Sequence, residues 1–148
     1  MTKIVMFLLF TAVLVGCKTY NEEEKQSFEG EIKTYLEKKG ITCKRSDSGL
    51  YYKITEQGEG RNIHFEDIVS FSYTGSFING QKFDQQKKPV EFAVKDLIGA
   101  WKEIMLELKT GAKVFLVAPP QLGYGEHELD DIPANSILVY EITVHGVK

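Results

Sequence analysis

The sequence predicts an α+β domain preceded by an N-terminal amphipathic helix, and three features predict it. Apolar residues alternate with polar ones in several short runs from residue 50 to the end. Only one stretch inside that region has helical spacing. Gly, Pro and Asn, the residues that turns require, fill the breaks between runs. Several antiparallel strands, with one short helix covering one face of their sheet, make the α+β arrangement.

The chain opens with Lys3 and an apolar run over residues 4–15, which ends in Leu14-Val15-Gly16-Cys17. A bilayer span needs about 20 apolar residues, so this shorter run behind one basic residue reads as a signal-peptide core. Its end resembles the lipobox of bacterial lipoproteins, where the cysteine thiol receives a diacylglycerol and cleavage leaves that cysteine first. The resemblance implies that residues 1–16 are a lipoprotein signal peptide and that Cys17 is the lipidation site. It also implies a chain lipid-anchored in the bacterial cell envelope, at the outer membrane or the periplasmic face. A buried helix with a chance cysteine is the plainer alternative.

Residues 18–26 are polar and carry Glu22-Glu23-Glu24, which reads as a solvated acidic tether. Phe28, Ile32, Tyr35 and Leu36 then lie at helical spacing, and Gly40 is a stop. An amphipathic helix over 22–39 follows, with a stripe that can pack on its own domain or on a partner. Residues 17–45 form the lipidated N-terminus, tether and helix, and residues 46–148 form the folded domain.

Within that domain Leu50, Tyr52 and Ile54 define a first strand, and Gly58 and Gly60 a loop. Val69, Phe71 and Tyr73 define the next. Asn79-Gly80 predicts a tight primed hairpin turn between residues 77 and 82, since both residues tolerate positive φ. Phe92 and Val94 predict a short strand after Pro89. Trp101, Ile104, Met105 and Leu108 predict the helix, with Gly111 as its stop. Residues 113–118 form a strand that Pro119-Pro120 ends. A long loop over 121–135 carries Gly123, Gly125 and Pro133. Residues 137–144 close the domain, with Leu138, Tyr140, Ile142 and Val144 on one face.

At 148 residues and 43% hydrophobic content, the chain supports one core and a short appendage. A net charge of −3 argues against a nucleic-acid binder, which would show a basic stripe. His64, His127 and His145 are scattered, and Cys17 and Cys43 lack metal-ligand spacing, so no metal site is expected. No Gly-rich loop opens a helix, no Gly-x-Ser-x-Gly elbow occurs, and Cys43 has no evident base. No cofactor is therefore expected. Cys43 reads as a small apolar residue at the domain edge, or as a site of intermolecular disulfide formation. What remains is a concentration of aromatics, Tyr73, Phe83, Phe92, Trp101, Tyr124 and Tyr140, which spacing alone cannot separate from an ordinary core.

Five motifs in order break that tie. They are Val69-Ser70-Phe71-Ser72-Tyr73-Thr74-Gly75, Asn79-Gly80-Gln81-Lys82-Phe83-Asp84 and Leu97-Ile98-Gly99-Ala100-Trp101. Leu122-Gly123-Tyr124-Gly125 and Ile132-Pro133-Ala134-Asn135-Ser136-Ile137-Leu138 complete the set. Across residues 65–145 the chain resembles the FKBP-type peptidyl-prolyl cis-trans isomerases. The resemblance implies a twisted antiparallel sheet wrapped around one short helix, and an enzyme that rotates X-Pro bonds in exported proteins. It implies catalytic roles for Tyr73, Asp84, the Ile98 N–H and the Tyr124 hydroxyl. It implies a substrate pocket with Trp101 as floor, and with Phe83, Val90, Phe92, Leu97, Ile132 and Tyr140 around it. Proline-containing polypeptides are the implied partners, and a macrolide the implied inhibitor. Val90 stands where the family commonly has an aromatic wall. Ala100 replaces a glycine, Tyr140 a phenylalanine, and the loop carrying Glu126, Glu128, Asp130 and Asp131 is acidic. These departures keep two alternatives open. One is a catalytically weak proline-binding module or chaperone. The other is a structural lipoprotein of an envelope complex, such as one of gliding motility, docked through the 22–39 helix.

Overall fold

The computed structural model describes residues 19–148, so the apolar run and Cys17 lie outside the described residues. Helix α1 spans Glu22–Lys39. Asn21 caps it: its Oδ1 accepts from the Glu24 N–H, and the Glu24 carboxylate accepts from the Asn21 N–H, both at 2.9 Å. The three glutamates in the first turn and Lys38 and Lys39 in the last complement the helix dipole. Gly40, at φ 65°, ends the helix. This corrects the tether expectation, because the acidic triplet is a helix start. Tyr20 just before it is buried, not solvated.

Strand β1 (Lys44–Arg45), β2 (Tyr51–Glu56), β3 (Ile68–Phe77), β4 (Lys82–Ala93), β5 (Lys113–Ala118) and β6 (Leu138–Val147) form one antiparallel sheet. The spatial order is β1-β2-β5-β6-β3-β4. Helix α2 (Gly99–Met105) lies on one face. There Trp101, Ile104 and Met105 pack with Val69, Phe71, Leu116, Leu138 and Ile142 in the main core. Each such side chain, fully buried, stabilises the fold by about 1.5–3 kcal/mol.

The opposite face is covered too. Ile32 and Leu36 of α1 pack on Tyr51, Val117, Ile137 and Val139. Val117 and Val139 alternate with the inward Leu116 and Leu138, yet they are as buried, because α1 replaces water on that face.

Three local expectations change. The hairpin between β3 and β4 is not a primed turn, because Gly80 (φ 88°) has positive φ and Asn79 does not. The Gly80 N–H donates to the Phe77 carbonyl and the Phe77 N–H to the Gln81 carbonyl, a three-residue loop closed by a left-handed glycine. Pro89 does not precede a strand but lies inside β4. That is tolerated because β4 is an edge strand and its register against β3 shifts between Phe71 and Tyr73. Val94 leaves the strand for a single helical turn, Val94–Asp96. Finally, α2 ends at Met105. The N–H groups of Glu107 and Leu108 reach back only three residues, to Ile104 and Met105, which tightens the chain while keeping Leu108 buried.

Candidate active site

The site forms where β3, β4 and β6 pass over the start of α2. Gly75 on β3 pairs with Asp84 on one side and Tyr140 on the other. A Cβ at Gly75 would lie 2.7 Å from the Phe83 ring and 2.8 Å from the Tyr140 ring. Only glycine lets those rings meet over the strand, 5.7 Å apart and edge to face at 88°. Trp101 sits in the first turn of α2 and is 6% exposed. Its ring centroid is 4.9 Å from both Tyr73 and Tyr140 and 5.1 Å from Phe71, all edge to face. Such pairs contribute about 0.5–1.5 kcal/mol each beyond burial, so the floor is rigid. The buried Trp101 Nε1 has no hydrogen-bond partner among the described residues. Ala100, beside it, is fully buried in the core, so the extra methyl is accommodated by packing.

Ile98 is the residue preceding α2, and its carbonyl accepts from the Trp101 and Lys102 N–H groups at 3.0 and 2.9 Å. Tyr73 donates its hydroxyl to the Asp84 carboxylate at the rim. Burial, with the Asp84 hydrogen bond and charge added, pushes the Tyr73 hydroxyl above the usual tyrosine range. Burial does the same for Tyr140, and its hydroxyl interacts with that of Tyr124. Tyr124 is raised by burial and by the Asp84 charge. All three phenols therefore remain protonated hydrogen-bonding groups at neutral pH.

Together these groups enclose a cavity of about 640 Å³. Tyr73, Phe83, Asp84, Phe92, Leu97 and Ile98 line it, as do Trp101, Tyr124, Ile132 and Tyr140. Val90 is not among the lining residues. It sits opposite Phe71 in the β3–β4 ladder and packs, half-buried, on the core. The aromatic wall on that side is Phe92, 51% exposed, with its ring 6.0 Å from Phe71. The cavity adds residues that sequence reasoning did not assign: Phe71, Asp96, Leu129 and the carboxylates of Glu128, Asp130 and Asp131. Phe71 was legible as the neighbour of Tyr73 on one strand face. Leu129 was legible as the apolar exception in an acidic loop.

A cavity floored and walled by aromatic rings, with hydroxyls and carboxylates at its mouth, held by an antiparallel sheet over one short helix, defines a binding fold for a small apolar group flanked by polar ones. The family model described as "FKBP-type peptidyl-prolyl cis-trans isomerase" matches residues 59–145, and the chain belongs to that family. It is 35% identical over 134 residues to the isomerase FkpA of Escherichia coli K12, covering 86% of this chain and 49% of that one. It is 37% identical over 136 residues to FkpA of Buchnera aphidicola from Schizaphis graminum, covering 87% and 53%. The chain thus spans about half the length of these curated relatives. The crystal structure of E. coli FkpA superposes with a TM-score of 0.74 at 34% identity, covering 86% of this chain and 62% of that chain. A peptidyl-prolyl cis-trans isomerase from Pseudomonas syringae pv. tomato DC3000 gives 0.71 at 26% identity, covering 90% and 99%.

Proposed function

We propose that this chain is a peptidyl-prolyl cis-trans isomerase that rotates X-Pro bonds in exported polypeptides. The observation that carries the reading is the Trp101-floored aromatic cavity with Asp84 and Tyr124 at its mouth, within a family of isomerases. Rotation about an amide breaks its resonance, a barrier of about 18–20 kcal/mol. Prolyl bonds suit such an enzyme because their two forms differ by only about 0.5–1 kcal/mol. Catalysis needs tighter binding of the twisted amide than of the planar one. The twisted amide has less charge separation, so an apolar cavity favours it over water. The proline ring rests on Trp101 between Phe83, Tyr140 and Phe92. The Ile98 N–H and the Tyr124 hydroxyl hold the flanking carbonyls, and Asp84 orients the site and meets the twisted carbonyl. Leu97 and Ile132 close the sides. The same cavity is the place for a macrolide.

In this reading residues 1–16 are the signal peptide, 17–45 carry the lipid and α1, and 46–148 carry the isomerase site. Cys17 anchors the chain in the envelope. Its support is the apolar run ended by Gly16-Cys17, and two or more acyl chains hold a protein stably on a membrane. A mature chain whose mass lacks residues 1–16 and includes lipid, against unlipidated Cys17→Ser, is the expected result. A processed chain with a free Cys17 thiol would remove the anchor from the proposal.

The isomerisation rate of a short X-Pro peptide tests the central claim. Because α1 packs on the sheet, the full chain is the right reagent. Acceleration by wild type that falls in Asp84→Ala and Trp101→Phe supports the enzyme. Folded wild type without acceleration refutes it.

A further inference from the structure

We infer that Tyr20 is a positioning residue for the cavity: by holding the Asn135 side chain it braces the neck of the acidic loop that forms the cavity's outer wall. The inference rests on the isomerase reading for its consequence, and on geometry alone for the clasp itself.

Tyr20 lies before α1 and far along the chain from every cavity residue, yet it is only 6% exposed. Its ring meets Phe28 edge to face at 5.4 Å. Its hydroxyl donates to Asn135 Oδ1 at 2.6 Å. Asn135 is the one non-glycine residue with positive φ, 60°, among the described residues. Its own N–H donates to the Gly125 carbonyl at 2.7 Å, and the Gly125 N–H donates to the Pro120 carbonyl at 2.9 Å. A Cβ at Gly125 would stand 3.7 Å from the Tyr20 hydroxyl oxygen. The hydroxyl therefore sits at the neck where residues 125 and 135 meet.

The loop closed by this neck is a compact excursion whose ends are pinned together. At its tip Leu129 and Ile132 bond to each other's backbone. At and beside the tip, Glu128, Leu129, Asp130, Asp131 and Ile132 line the cavity, and Tyr124 immediately precedes the neck. Asn side chains in turns hydrogen-bond to groups close by, and that of Asn135 accepts from the Tyr20 hydroxyl. Tyr20 fixes it, so one remote phenol sets how often the wall is in place when a peptide arrives. A wall that must be ordered during binding weakens binding, while a wall held beforehand does not.

The test uses the full chain and three substitutions. Tyr20→Phe keeps the ring on Phe28 and loses the bond. Asn135→Gly keeps the positive φ and loses the acceptor. Asn135→Asp keeps both. The expected result for Tyr20→Phe is a KM for an X-Pro peptide raised about three- to tenfold, with kcat held within about twofold. Amide exchange should quicken within residues 124–136 and stay unchanged in β3, β5 and β6. Asn135→Gly should match it, the two together should add nothing further, and Asn135→Asp should behave as wild type. Unchanged KM and unchanged loop exchange in Tyr20→Phe would overturn the inference. So would faster exchange across all strands, which marks mere destabilisation. If wild type shows no isomerisation, the isomerase reading fails, and loop exchange still decides the clasp.

Discussion

Tyr73 and Asp84 are diagonal neighbours on the β3–β4 ladder, and the tyrosine hydroxyl donates to the carboxylate. The ladder pairs Gly75 with Asp84 and Gln86 with Tyr73, so the two side chains are one diagonal apart, within reach of a long aromatic residue. The bond ties Asp84, the acid that β4 gives the cavity lining, to a ring already packed on Trp101.

Breaking that tie from either side should have one effect. Asp84→Ala and Tyr73→Phe are each expected to lower kcat/KM for an X-Pro peptide about tenfold, the range for a hydrogen bond to a charged group. The double variant should lose little more than either single one, because the two act as a unit. Additive losses would mean that Asp84 acts without Tyr73's help.

The pH profile follows from the same tyrosines. Burial raises Tyr73, Tyr124 and Tyr140 above the value near pH 10 at which a free tyrosine titrates. A raised value favours the protonated form in the folded protein. Stability from these phenols is thus complete below about pH 10 and is lost as pH climbs beyond it. The expected kcat/KM profile shows no tyrosine inflection below that point, and tyrosinate absorbance should appear together with unfolding. An inflection near pH 8 that vanishes in Tyr73→Phe would contradict the assignment.

Charge at the mouth predicts substrate preference. Asp84, Asp96, Glu128, Asp130 and Asp131 line the cavity, and among the described residues no lysine or arginine does. Peptides with Lys or Arg beside the X-Pro unit should be turned over faster than peptides with Glu there. The gap should close as salt rises, since a Debye length is about 8 Å at 0.15 M. Replacing Glu128, Asp130 and Asp131 by their amides should narrow the same gap. A preference indifferent to both salt and substitution would assign selectivity to the apolar floor alone.

Much of this was readable in advance, for physical reasons. The period-two runs were reliable where one face meets α2 and the other meets solvent or α1. The motif residues Tyr73, Asp84, Ile98, Trp101, Tyr124 and Ile132 do line one cavity. What escaped were features decided by three-dimensional neighbours. Pro89 hides inside β4 because an edge strand needs fewer N–H groups. Val90 misses the cavity because it packs behind it on the core opposite Phe71, where the ladder register then shifts. Tyr20 looked like tether because nothing local announces a partner at residue 135.

The face of α1 gives the last expectation. Ile32 is fully buried against β5 and β6 side chains, so the apolar stripe is already occupied by this chain's own sheet. Ile32→Ala should cost about 2–5 kcal/mol of unfolding free energy, as for other buried large-to-small changes. That corresponds to a Tm drop of roughly 5–15 °C. Glu31→Ala, on the exposed face, should change Tm by no more than about 2 °C. A helix reserved for docking an envelope partner would show the reverse, with Ile32→Ala harmless to Tm and harmful only to the partner complex. Thermal unfolding of the two variants separates these cases without any partner in hand.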